Sequence, residues 1–130
     1  VTRPGGRVVL FDTDHGTKSF DSDELEVERK LARVAAEHCL PSGYAGRQLY
    51  RLARQAGLQD LTVEVVGLAI TDYPLARWAN FLDQVERAAL EAAVINAEEL
   101  ARWQADLERR AAAGTFFFGG SGVLVAGHKR

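Results

Sequence analysis

The order of predicted elements is strand, helices, strand, helices, strand, which places the chain in the α/β class. Three observations carry that prediction. Val8-Val9-Leu10-Phe11 is continuously apolar, as in a strand buried on both faces. Leu61 to Thr71 is a second run, rich in Val and Ile. The segments around them repeat apolar residues at helical spacing.

In chain order, Arg3-Pro4-Gly5-Gly6 reads as a tight turn, because Pro fixes φ and Gly supplies unusual φ. Arg7 to Thr13 follows as the first strand, and Asp14 to Ser22 reads as a polar loop. Asp21 or Ser22 can cap a helix from Asp23 to about Cys39, with Glu24 completing a capping box from Asp21. Its stripe of Leu25, Leu31, Val34, Ala35 and Cys39 is thin, so the helix is expected to be peripheral. Pro41-Ser42-Gly43 breaks it. A helix from Ala45 to Ala56 ends at Gly57, a C′ candidate. After the Leu61 to Thr71 strand, Pro74 suits the first turn of a long helix over Leu75 to Ile95. Asn96 with Glu99 caps the next helix, Ala97 to Ala113, which Gly114 ends. Thr115 to Gly127 is the last strand, with a bulge or bend expected at Gly119-Gly120. The two helices between the last two strands form a helical insertion over residues 74–113.

Size and composition narrow the function. With 130 residues, 47% hydrophobic and 26% charged, a single globular domain over residues 1–130 is expected. A net charge of −2 gives no electrostatic reason to expect nucleic acid or an anionic membrane as partner. The single cysteine, Cys39, cannot form an internal disulfide, which fits a reducing, cytoplasmic setting. The apolar runs are too short to span a bilayer. No methionine opens the chain. Two strands separated by a helix predict a right-handed parallel crossover. Three strands make a small sheet, and its most apolar strand is the wrong one to leave at an open edge. These features together predict a missing neighbour for the first strand, either more of a parent chain or a second copy in a homodimer.

Arg3-Pro4-Gly5-Gly6-Arg7 through Asp12 resembles the "L-[KR]-P-G-G" turn and fifth strand of class I S-adenosylmethionine-dependent methyltransferases. Gly46 to Gly57 with Leu58-Gln59-Asp60 resembles the helix leading to their sixth strand. Thr115-Phe116-Phe117-Phe118 through Lys129 is similar to their terminal strand. The matches occur in the family's order, cover the whole chain, and are similar in style to the ubiquinone/menaquinone-methyltransferase-like group. The resemblance implies the C-terminal part of a Rossmann-like sheet: three strands, the last inserting antiparallel between the other two, with four or more helices. It also implies S-adenosylmethionine as cofactor of an intact parent and a small-molecule methyl acceptor. The family's "G-x-G-x-G" loop and ribose-binding carboxylate have no counterpart here, so no cofactor-binding residue is assigned. The chain alone is expected to bind no cofactor and to be inactive, contributing the acceptor pocket.

Asp12-Thr13-Asp14-His15 follows the first apolar strand, where open α/β sheets bind ligands. Histidine titrates near neutrality, so His15 is a candidate general base for a hydroxyl or amine acceptor, with Asp12 and Asp14 as substrate-binding candidates. The plainer alternative is loop acids capping turns beside a surface histidine. By the resemblance, Phe116 borders the substrate pocket. The same stretch is similar to the "D-x-D-G-T" signature of haloacid-dehalogenase-like phosphatases, but His15 displaces the threonine and no later acid pair completes it. A metal site is not expected, because adjacent Asp14 and His15 point to opposite sides of extended backbone. Trp78, Phe81 and Trp103 read either as a wall over an apolar substrate or as core, with core preferred for Trp78 and Trp103. A non-catalytic α/β scaffold that completes its sheet with a partner is the competing functional expectation.

Overall fold

A computed structural model describes residues 2–130. Three strands, β1 (Arg7–Phe20), β2 (Gln59–Ile70) and β3 (Phe118–His128), form one sheet in the order β1-β3-β2. The central strand β3 is antiparallel to both neighbours. β1 and β2 therefore run parallel to each other in one sheet, as a parallel crossover expects, with β3 inserted between them. Five helices accompany the sheet: α1 (Leu25–Val34), α2 (Ala45–Gln55), α3 (Tyr73–Ala79), α4 (Leu82–Glu91) and α5 (Ala97–Ala112). No helix among the described residues is long and apolar enough to cross a membrane.

β1 is longer than its apolar core predicts. It continues through the expected loop to Phe20, because the polar segment keeps pairing with β3 across an irregularity. Between the pairs Asp14–Ser121 and Ser19–Gly119, β1 advances five residues while β3 advances two. The extra residues thus sit in β1, and Gly119-Gly120 stays in register with Ala69 and Leu68 of β2. The bulge expected in β3 belongs to its neighbour.

Strand alternation divides the sheet into two faces. Leu10, Asp12 and Asp14 of β1 share one face with Val123 and Val125 of β3. Helix α2 covers this face and approaches closely at Gly46, where an added Cβ would lie 2.7 Å from the Asp14 backbone nitrogen. Val9, Phe11 and Thr13 share the other face with Gly122, Val66, Leu68 and Ile70. Much of this second face is uncovered: Phe11 is 56% exposed and Leu68 61%.

The main core lies beyond one end of the sheet, among α1, α4 and α5. Val27, Leu31, Val34, Leu82, Val85, Trp103 and Leu107 are buried there, and β1 and β3 reach into it through Phe20 and Phe118. The Phe20 ring meets Trp103 edge-on at 5.5 Å and Phe118 at 4.9 Å. Trp103 fills the core as the helical spacing predicts. Trp78 does not: at 76% exposed it projects from α3 into solvent, which corrects its core assignment.

Three helix boundaries differ from the sequence reading. The Asp21–Glu24 capping box does not form; the Glu24 N–H donates instead to Ser22 Oγ at 3.0 Å. The first helix ends in a π turn over Ala35–Cys39. The expected single helix from Leu75 to Ile95 breaks at Asn80-Phe81, where Phe81 adopts φ 50°. Asn80 Nδ2 donates to the Ala76 carbonyl at 2.8 Å and stabilises that break. The Asn96–Glu99 capping box forms as expected, and Gly114 closes α5 at φ 72°.

Candidate functional site

A cavity of about 310 Å³ opens on the uncovered sheet face, toward the carboxyl ends of β1 and β2. Phe11, Val66, Leu68, Ile70 and Phe118 supply apolar walls, and Asn80 from the α3–α4 break closes one side. Gly120 and Gly122 keep the β3 floor low. The Phe11 ring occupies the space above Gly122, where an added Cβ would lie 2.4 Å from Cζ. Ligand sites in open α/β sheets favour this end of the strands.

Two nitrogen bases face the cavity, His15 and Lys18. His15 Nδ1 is buried and has no hydrogen-bond partner among the described residues. Burial lowers the imidazole pKa, and nearby Lys18 lowers it further, against the opposing effect of Asp12 and Asp14. A neutral imidazole is the form that accepts a proton. Lys18 is only 6% exposed. Burial holds its amine down to about 8, and no carboxylate among the described residues offsets that; the Cys39 thiol is the one acidic group acting on it. Burial in turn raises the Cys39 thiol.

The structure separates the candidates of the Asp12-to-His15 stretch. Asp14 points away from His15, toward α2, where its carboxylate accepts from Arg47 Nε at 2.8 Å and Nη2 at 3.0 Å. It also accepts from the Gly16 N–H at 3.0 Å. Asp12 is exposed and accepts from the Thr13 N–H at 2.8 Å. Neither acid lines the cavity. No group of three or more His, Cys, Asp or Glu residues is placed to hold a metal ion among the described residues. Phe116 is buried against Phe20 and Tyr73, with ring centroids at 6.2 and 5.1 Å. Phe118, two residues on, is the phenylalanine of that run that lines the cavity. Gly119-Gly120-Ser121-Gly122 lies within β3 and Gly5-Gly6 in the turn before β1, so neither makes a glycine-rich strand-to-helix loop.

Sequence reasoning missed Lys18. It lay in a stretch read as a polar loop, and only the continuation of β1 past Asp14 turns it inward. An available signal was the alternation of Lys18 with Phe20, two residues apart and therefore on one side of an extended strand. It also missed Glu86. Buried on α4, Glu86 accepts from Trp103 Nε1 at 3.0 Å, Gln104 Nε2 at 2.9 Å and Arg77 Nη2 at 2.8 Å. This network locks α3, α4 and α5 together and so fixes the wall beside Asn80.

No family model matches the chain. A curated relative, an uncharacterized 37.1 kDa protein in transposon TN4556 of Streptomyces fradiae, is 34% identical over 117 residues, which is 90% of this chain. The chain spans 33% of that protein's length.

Proposed function

We propose that this chain is the C-terminal portion of a class I S-adenosylmethionine-dependent methyltransferase acting on a small molecule, and that it supplies the acceptor pocket. The observation that carries the reading is β3 lying between β1 and β2, antiparallel to both, with apolar β1 left at a free edge. An upstream half-sheet pairing with that edge would cover Val9 and Phe11. The relative's threefold greater length is consistent with such a segment.

The residues of this chain do not fit the cofactor itself, which needs a glycine-rich loop between strand and helix, so no methyl-transfer step is derived from them. Their part is to receive the acceptor. The apolar walls offer hydrocarbon contact, and neutral His15 lines the space where an acceptor hydroxyl or amine could give up its proton. Asp14, held by Arg47, fixes the backbone from which His15 projects.

Calorimetric titration with S-adenosylmethionine tests the reading. A protein in which an upstream half-sheet precedes this chain is expected to bind in the micromolar range, and the 130-residue chain alone is expected not to bind. Absence of binding by the extended protein sinks the methyltransferase reading. Binding by the short chain sinks the upstream placement of the cofactor site.

The free β1 edge also favours a second reading, a non-catalytic α/β module that completes its sheet with another copy of itself.

A further inference from the structure

We propose that the cavity beside β1 takes an apolar acid, a hydrocarbon body bearing one anionic oxygen group that pairs with Lys18. This rests on reading the cavity as the acceptor site. The walls and the polar end are chemically distinct. Phe11, Val66, Leu68 and Phe118 offer hydrocarbon contact, which suits a flat or branched apolar body and disfavours a sugar or nucleotide. The polar end carries nitrogen bases and no carboxylate. Lys18 is 94% removed from solvent by its 6% exposure, yet no acidic side chain of the described residues neutralises it. A buried cation without a counter-charge is unfavourable, so evolution retains one mainly where a ligand supplies the charge.

His15 adds a second, independent observation. His15 lines the same space, and its Nδ1 is buried with no hydrogen-bond partner among the described residues. A carboxylate or phenolate oxygen on Lys18 would bring a neighbouring hydroxyl or protonated oxygen toward the His15 imidazole that lines the same space. An amine ligand would do the reverse, placing a second positive charge beside Lys18. The volume of about 310 Å³ is at the small end for ligand sites and admits one or two fused rings.

The test uses 2-naphthoate and its neutral counterpart 2-naphthalenemethanol, titrated into the 130-residue chain with amide chemical shifts as the readout. Naphthoate is expected to bind at least about tenfold more tightly than the alcohol, as a charge-assisted contact requires. Its shifts should map to Ile70, Phe118 and Gly120. In Lys18→Met the acid is expected to lose that advantage while the alcohol binds as before. Equal affinities in the unaltered chain overturn the proposal, as does an acid preference that survives Lys18→Met. The wild-type comparison stands alone should the variant fail to fold. Cofactor binding by the extended protein is a separate measurement. Its failure removes the methyltransferase reading, whereas failure of naphthoate with intact cofactor binding removes only the acid-binding assignment.

Discussion

A lysine side chain that folding largely buries is destabilising without a counter-charge, and no acidic group but the Cys39 thiol acts on Lys18 among the described residues. Its folded pKa of about 8 lies below the unfolded value of 10.5. The unfolded chain therefore binds the proton more tightly than the folded one. The resulting destabilisation is complete below about pH 8 and vanishes as pH rises through the unfolded pKa. Lys18→Met is accordingly expected to stabilise the chain by about 2 kcal/mol at pH 7, the full linkage value being discounted for local water. Urea unfolding at pH 7 and pH 9.5 checks this, with the gap between the two proteins narrowing at the higher pH. A destabilised variant would mean that the amine already has a partner. Of the residues that line the cavity, His15 was legible because histidine after an apolar strand is chemically conspicuous. Lys18 was less so, since within a polar run only its two-residue spacing from Phe20 marks it as inward. Asp14 was singled out, but strand alternation turns it to Arg47 and away from the cavity.

Helix starts and stops written in local chemistry were legible as elements. Asn96 and Glu99 form their reciprocal cap, and Gly114 adopts the left-handed conformation that ends α5. The break between α3 and α4 was not, because nothing in Trp78-Ala79-Asn80-Phe81 forbids a helix. It arises from tertiary bonding: Asn80 turns back to the Ala76 carbonyl, and the turn lets Arg77 reach Glu86. The strand-to-loop boundary at Asp14 failed for the same kind of reason, since pairing with β3 carries polar residues into the sheet. Glu86 concentrates this tertiary information. It is buried and accepts from three side chains on two other helices. Glu86→Ala leaves the Arg77 guanidinium and the Trp103 N–H without their partner, at an expected cost of about 3–5 kcal/mol. A loss below about 1 kcal/mol in urea unfolding would show that water replaces the carboxylate and that the network does not hold the helices.

At the scale of the molecule, the distribution of apolar surface is uneven. The helical end is closed around Trp103 and Leu107, both fully buried. The sheet end is open: Val9 and Phe11 on edge strand β1 and Val63, Val65 and Leu68 on edge strand β2 are each at least 46% exposed. Edge strands in stable monomers are normally short, charged or covered; β1 is fourteen residues long and uncovered at Phe11, with Asp12 the charged residue beside it. The order of elements and their class were legible because each strand core is apolar in sequence. That the last strand would separate the first two could not come from periodicity, since register and order depend on contacts distant along the chain. Such a surface drives association whenever nothing covers it. The isolated chain is therefore expected to self-associate in a concentration-dependent way, seen as a rising mass in light scattering between micromolar and millimolar protein. Phe11→Lys should abolish this without unfolding the helical end, because Phe11 is 56% exposed and is not among the buried residues around Trp103. In the upstream-extended protein the same substitution is expected to be strongly destabilising, because there the strand would be internal. A monomeric chain at all concentrations, together with an extended protein indifferent to Phe11→Lys, would mean that β1 is a true edge and that no neighbour, from the same chain or another copy, belongs beside it.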